Sequence, residues 1–348
     1  MLQALGMSAC VRRVGAVLAM ATLLGLSVQS YAASEPAAPA QDEKAVAAAT
    51  QKDVPHNAAA TWREVRSGAP GFTTVRGTET GVLIQSQGNT WRAIRNGLIT
   101  PYGGAVLLLV AASIALFYKK KGMIKLHHPK TGRKVTRFTV NERRAHWLVA
   151  ISFVCLAFSG IVLLFGKHIF LWLLGYTLFS WLGLISKNLH ILAGFSFLVG
   201  VVLLFGLFWK DNLWHKSDAE WIRKAGGLTS GEHIPSRRFN FGEKVWFWGG
   251  LCFFGLIMIA SGLVLTFPNF FEAQRSAMQY AQIIHATSAC LVIAMSLGHI
   301  YMGTIGMEGS FEAMKTGEVD EAWAKEHHEI WYEEEVAPKR IGGNGGQA

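Results

Sequence analysis

Charge is what this chain has least of. Only 16% of its 348 residues are charged, against 51% hydrophobic, a balance that excludes an ordinary soluble globular domain. Cysteine is nearly as scarce. Of the four present, Cys10 lies in the N-terminal leader-like stretch, while Cys155, Cys252 and Cys290 each fall inside an apolar run. No disulfide framework is implied, cysteine clusters for iron–sulfur centres are missing, and the lack of a CxxCH sequence excludes a covalently attached c-type haem. Acidic residues are absent from the long apolar runs, which leaves a proton relay without its intermediate carboxylates. Those runs also lack the Gly/Pro-broken helices in paired repeats that a transporter would show.

What is present is hydrocarbon in helix-sized lengths. Residues 98–118, 145–166, 190–209, 245–267 and 281–303 are apolar, and each has the roughly 20 residues a helix needs to cross about 30 Å of bilayer. The fold class expected is an all-α membrane protein. Ahead of these spans, Arg12 and Arg13 precede a short apolar stretch from Val14 to Leu26, and Ser-Tyr-Ala ends at Ala32 in cleavage register. Residues 1–32 therefore read as a signal peptide, with a retained anchor as the alternative. Residues 33–97 read as an Ala- and Pro-rich linker followed by a small external element with strands, over residues 62–96.

Loop charge orients the chain. The stretch 119–144 carries ten Lys or Arg against one acid, Glu142, and the loop from Lys210 to Lys244 carries seven. The loops from Lys167 to Leu189 and from Pro268 to Tyr280 carry two and one. The positive-inside rule places the first pair in the cytoplasm, in agreement with an exported N-terminus, five spans and a cytoplasmic C-terminal segment, 306–348. The net charge of +10 thus reads as topology determinants beside anionic lipid, not as a nucleic-acid surface. The acidic stretch 309–336 reads as an amphipathic helix on a partner or the membrane surface, with His327 and His328 solvated.

Depth sorts the twelve histidines. Four lie in or at the ends of spans: His146, His190, His285 and His299. A histidine in a span is costly enough to suggest function by default, although each taken singly also fits a hydrogen-bonded packing residue. In the fifth span, His285 and His299 are fourteen residues apart, about 3.9 turns and roughly 21 Å, so they share a face at opposite depths. His190 opens the third span from outside and His146 opens the second from the cytoplasm. Depth therefore pairs His190 with His285 externally and His146 with His299 internally. Two imidazoles on facing helices suit a low-spin haem iron, whereas zinc would seek four ligands at each site. Gly160, Gly194, Gly200, Gly255, Gly262, Ala286, Ser288, Ala289 and Gly298 leave room for a flat cofactor, and close helix packing explains each one as well.

Four stretches carry a resemblance: FTVNERRAHWLVAISFVCLAFSGIVLLFG (138–166), SKNLHILAGFSFLVGVVLLF (186–205), RRFNFGEKVWFWGGLCFFGLIMIASGLVL (237–265), and IIHATSACLVIAMSLGHIYMGTIGMEGSFEAM (283–314) with WAKEHHEIWYEE (323–334). Together they resemble the γ subunit of membrane-bound formate dehydrogenase, a di-haem cytochrome b. The resemblance implies a four-helix cytochrome b domain over 145–305 plus one added N-terminal span. It also implies two b haems on His146, His190, His285 and His299. The partners would be an iron–sulfur β subunit and a molybdenum or tungsten α subunit that oxidises formate. The acceptor would be a quinone, menaquinone or ubiquinone, in a pocket drawing on Asn240, Gly242 and Glu243, and the setting a bacterial inner membrane. The same ligand logic would serve another exported oxidoreductase, a hydrogenase or thiosulfate-type reductase, and a haem-free anchor would leave the four histidines unexplained.

Overall fold

A computed structural model describes residues 86–227, 234–268 and 275–338, with isolated positions 63, 66 and 67. The expected signal peptide, the linker and most of the external element lie outside the described residues. Five helices long and apolar enough to cross a membrane are present among the described residues: α1 (Gln87–Lys121), α2 (Val140–Ile169), α3 (Leu171–Phe208), α5 (Phe241–Thr266) and α6 (Arg275–Gly306). A short amphipathic helix, α4 (Lys216–Arg223), separates α3 from α5. The expected membrane class and number of spans hold. One boundary moves: residues 86–97, read as part of a strand-containing element, are helical. Trp91, Ile94 and Leu98 continue the apolar stripe of α1 outward at helical spacing, which overrides the Gly and Asn turn signals.

The described residues form two compact units: residues 86–102 with 261–268 and 275–286, and residues 103–227 with 234–260 and 287–338. In the second unit α2 and α3 pack along their length as a hairpin. A Cβ at Gly200 of α3 would stand 2.6 Å from the Val149 side chain, so the two backbones approach as closely as glycine permits. Gly103 of α1 is used in the same way, with Cys290 Sγ of α6 only 2.7 Å from where its Cβ would be. α3 is 38 residues long and breaks at Gly175, whose φ of 69° suits glycine. About 20 residues suffice to cross the hydrocarbon, so the N-terminal part of α3 extends past it. Trp172, Tyr176 and Trp181, all exposed, suit the interface there.

Helix starts are written in the sequence. Thr139 and Glu142 form a reciprocal capping box at α2, and Asn240 and Glu243 form one at α5. Glu142 is buried and also accepts from Arg238 at 2.8 Å, so the start of α2 is tied to the segment that leads into α5.

The C-terminal segment departs from expectation. It folds onto its own chain: β1 (Lys134–Thr136) pairs antiparallel with β2 (Glu318–Asp320), Val135 opposite Val319, with α7 (Ser310–Lys315) before it and α8 (Glu321–His327) after it. Trp323, Ala324, Trp331 and Tyr332 join Val135, Phe138, Ala145, Leu204, Phe208 and Phe247 in one buried cluster. His328, expected in solvent, is 1% exposed, and its Nδ1 donates to the Arg237 carbonyl at 2.7 Å. His327 is half-buried beside Trp323. The physical reason is that the basic loop carries the apolar Val135 and Phe138, and the tail brings Val319, Trp323 and Trp331 into the cluster that buries them.

Asp320 holds this cap shut. It accepts from the backbone N–H groups of Thr131 (3.0 Å), Gly132 (2.9 Å) and Ala322 (2.9 Å). Burial pushes its carboxyl up, but these donors outweigh burial and leave the pKa below the ordinary value. A depressed folded pKa contributes stability that is present above the unfolded value and lost as pH falls through the folded one. Amide exchange at Gly132 and Ala322, corrected for intrinsic rates, should therefore stay protected at neutral pH and open only below about pH 4. Asp320→Ala should open the same amides at pH 7. Protection unchanged in that variant would show that the carboxylate is not the latch.

Candidate functional site

His146 sits two turns into α2, fixed by the Thr139 cap, and His299 sits near the C-terminal end of α6. The structure brings them together: their ring centroids are 6.3 Å apart with the planes at 53°. Two imidazoles facing each other across one metal ion, with metal–nitrogen bonds of roughly 2 Å, would have ring centres about 6 Å apart. Trp246 of α5 stacks on His299 at 4.8 Å and 13°, and Trp147 meets His146 edge-on at 5.6 Å. His146 Nδ1 is buried with no hydrogen-bond partner, a condition that is rare without a reason.

His190 has a built cradle on the neighbouring helix. Its Nδ1 lies 2.8 Å from Ser159 Oγ, and a Cβ on Gly160 would stand 3.4 Å from its Cε1. Ser159 is fully buried, and its hydroxyl donates to the Cys155 carbonyl at 2.6 Å. Within the other compact unit, His285 has the same surroundings: Ser261 Oγ is 2.9 Å from Nδ1, and the missing Cβ of Gly262 would stand 3.4 Å from Cε1. The two cradles are spelled alike, FSGIVLLF at 158–165 and ASGLVLTF at 260–267. Sequence reasoning noted the glycines and missed the serines. The repeated Ser-Gly pair, one helix before each histidine, was the available signal. Among the glycines expected near the histidines, Gly160 and Gly262 meet an imidazole; Gly200 serves helix packing and Gly194 and Gly298 face open space.

Asn240, Gly242 and Glu243 are placed differently. Asn240 Oδ1 accepts from Glu243 N at 2.9 Å, and Glu243 Oε2 accepts from Asn240 N at 2.8 Å, which caps α5. A Cβ on Gly242 would meet Trp221 at 3.2 Å. Glu243 Oε1 also pairs with Arg137 at 2.9 Å, and His328 Nε2 is 3.9 Å from Oε2. The buried Arg137 guanidinium is held between Phe138 (5.0 Å) and Trp323 (4.7 Å). Burial lowers its pKa, and Glu243 opposes that. Lys244 is buried against Asp218 at 2.7 Å. Among the described residues, no three His, Cys, Asp or Glu side chains gather as a metal-ion site, so the imidazole pair stands as a two-ligand arrangement.

The residues present fit a flat, axially ligated metal cofactor: a facing imidazole pair, an orphaned buried ring nitrogen, and two cradles where glycine leaves the histidine edge open. The comparisons agree. The profile of the prokaryotic cytochrome b561 family matches residues 137–317, more than half of the chain. The chain is 31% identical over 208 residues to the formate dehydrogenase cytochrome b556(fdo) subunit of Escherichia coli (strain K12), covering 58% of this chain and 92% of that one. It is 30% identical to the nitrate-inducible cytochrome b556(Fdn) subunit of the same strain, with the same coverage. It is 28% identical over 212 residues to the formate dehydrogenase cytochrome b556 subunit of Haemophilus influenzae, covering 85% of that chain. α1 lies outside the family match. Because Asn240 is an N-cap, Asn240→Ala should cost about 1 kcal/mol, read as a lowered melting temperature in detergent, while Asn240→Asp should retain most of the stability. Equal melting of all three would deny it the capping role.

Proposed function

The chain belongs to the prokaryotic cytochrome b561 family and groups with formate dehydrogenase cytochrome b subunits, and from that premise we propose that it is the electron-transferring, quinone-reducing membrane subunit of a formate dehydrogenase complex. Electrons would arrive from an exported iron–sulfur subunit served by a molybdenum or tungsten formate-oxidising subunit. They would leave to quinone, menaquinone or ubiquinone, on the cytoplasmic side of a bacterial inner membrane. Two b haems, when bound, supply a reversible one-electron relay. His190 and His285 would hold the outer one, and His146 and His299 the inner one. The observation that carries this reading is the facing His146–His299 pair, 6.3 Å between ring centres.

The chain's own residues do the remaining work. The apolar helices exclude water around the ligands, so neutral imidazole is the form they present. Trp246 fixes the ring plane of His299 by stacking. In this reading the Asn240–Gly242–Glu243 cap of α5 would border the quinone, and Glu243, which is 37% exposed on its side chain, would pass it a proton from the cytoplasmic water. Two electrons from formate outside and two protons taken up inside would make the cycle charge-separating.

Pyridine haemochrome assay of the purified protein should give two haems b per chain. His299→Ala should leave one and abolish quinol formation, and His190→Ala should also leave one. A wild-type value of one or none would overturn the two-site reading. Sidedness is checked separately, since a reporter fused after Ala348 should be active only if it folds in the cytoplasm.

A further inference from the structure

The four histidines do not have equivalent surroundings. His190 donates its Nδ1 proton into an environment of acceptors. The Ser159 hydroxyl hydrogen is committed to the Cys155 carbonyl, so Oγ offers a lone pair to the ring at 2.8 Å, and the ring also bonds the Leu156 backbone. This network assigns the proton to Nδ1 and leaves Nε2 as the ligating nitrogen. His285 shares the Oγ contact, 2.9 Å from Ser261. His146 has the opposite condition, with its Nδ1 buried and without a partner. His299 is held by stacking on Trp246 instead.

We infer that Ser159 and Ser261 are positioning residues that set the redox asymmetry of the chain: by accepting from Nδ1 they make His190 and His285 the stronger donors, and hold the potential of the outer haem below that of the inner one. The physical basis is general. A hydrogen bond accepted from the far nitrogen of a ligating histidine fixes its tautomer and raises its basicity, which favours the oxidised, more positive metal. A buried Nδ1–H with no acceptor gives no such support. The same chain thereby makes electron flow from outside to inside run downhill without a charged residue in any of the long apolar runs. The adjacent glycines border the same rings, since a Cβ at Gly160 or Gly262 would stand in van der Waals contact, 3.4 Å, with the imidazole edge that the serine aligns.

This rests on the proposed di-haem reading, and the experiment separates the two. Potentiometric titration of the purified complex, followed optically, should resolve two waves in the wild type. Ser159→Ala should keep two haems by pyridine haemochrome but shift the lower wave upward, toward the upper one. Ser261→Ala should shift the same wave, and Ser159→Thr, which retains the hydroxyl, should restore it. Ser152 bonds only to its own helix carbonyls, Leu148 and Val149, so Ser152→Ala should leave the lower wave in place. Two retained haems with unmoved waves in both alanine variants would overturn the positioning role alone. Movement of the upper wave, or of different waves by the two serines, would overturn the assignment of both cradles to one haem. A wild type without two haems would instead sink the function it rests on. If Ser159→Ala proves too unstable to purify, Ser261→Ala and Ser159→Thr still decide the matter.

Discussion

A neutral imidazole in hydrocarbon has one donor and one acceptor nitrogen, and both must be satisfied by protein or cofactor. Much else in the molecule answers to that constraint. Ser159 takes up the donor of His190. Ser261 Oγ stands 2.9 Å from the same nitrogen of His285. Glycine stands next to each serine, where a Cβ would already touch the ring at 3.4 Å. For the inner pair the solution is aromatic, with Trp246 lying flat on His299. No carboxylate lies in the long apolar runs to compete with these imidazoles.

The end where the basic loop meets the C-terminal segment obeys a different rule. There the chain is wet enough for charge but still has to close over the ends of α2, α3 and α5. It does so by pairing charge with aromatic surface. Arg137 lies between Phe138 and Trp323 while reaching Glu243, and Arg238 links Glu142 to Asp211 over the same aromatic group. Buried ion pairs of this kind are weak contributors to net stability but strongly penalise any arrangement that leaves one partner alone. Their effect is to fix where α2 and α5 begin, and therefore the height of His146.

The spans and their histidines were legible because both signals are large: twenty apolar residues, and a polar ring among them. Helix starts were legible in part, since Thr139 with Glu142 and Asn240 with Glu243 are capping pairs three residues apart. The cap formed by the tail was not. Residues 309–336 are acidic and amphipathic, and nothing local distinguishes a face meant for a partner from one meant for the chain's own loop, whose contacts lie almost two hundred residues away. The serines escaped because a serine in a membrane helix ordinarily bonds its own backbone. Ser152 and Ser159 read identically in sequence, and only the neighbouring helix tells them apart.

The pairing of β1 with β2 joins residue 135 to residue 319, and it ties the timing of assembly to the direction of synthesis. When the ribosome releases the basic loop, the strand that will cover Val135 and Phe138 has not yet been made, and four further spans must be inserted before it emerges. The apolar underside of the loop therefore stays uncovered throughout insertion, and the cap closes as the last long-range contact of the chain. A subunit with a span missing or inverted would deliver its tail to the wrong side and leave that underside bare. Closure of the cap is thus a record, kept in the fold, that every span has been threaded in turn.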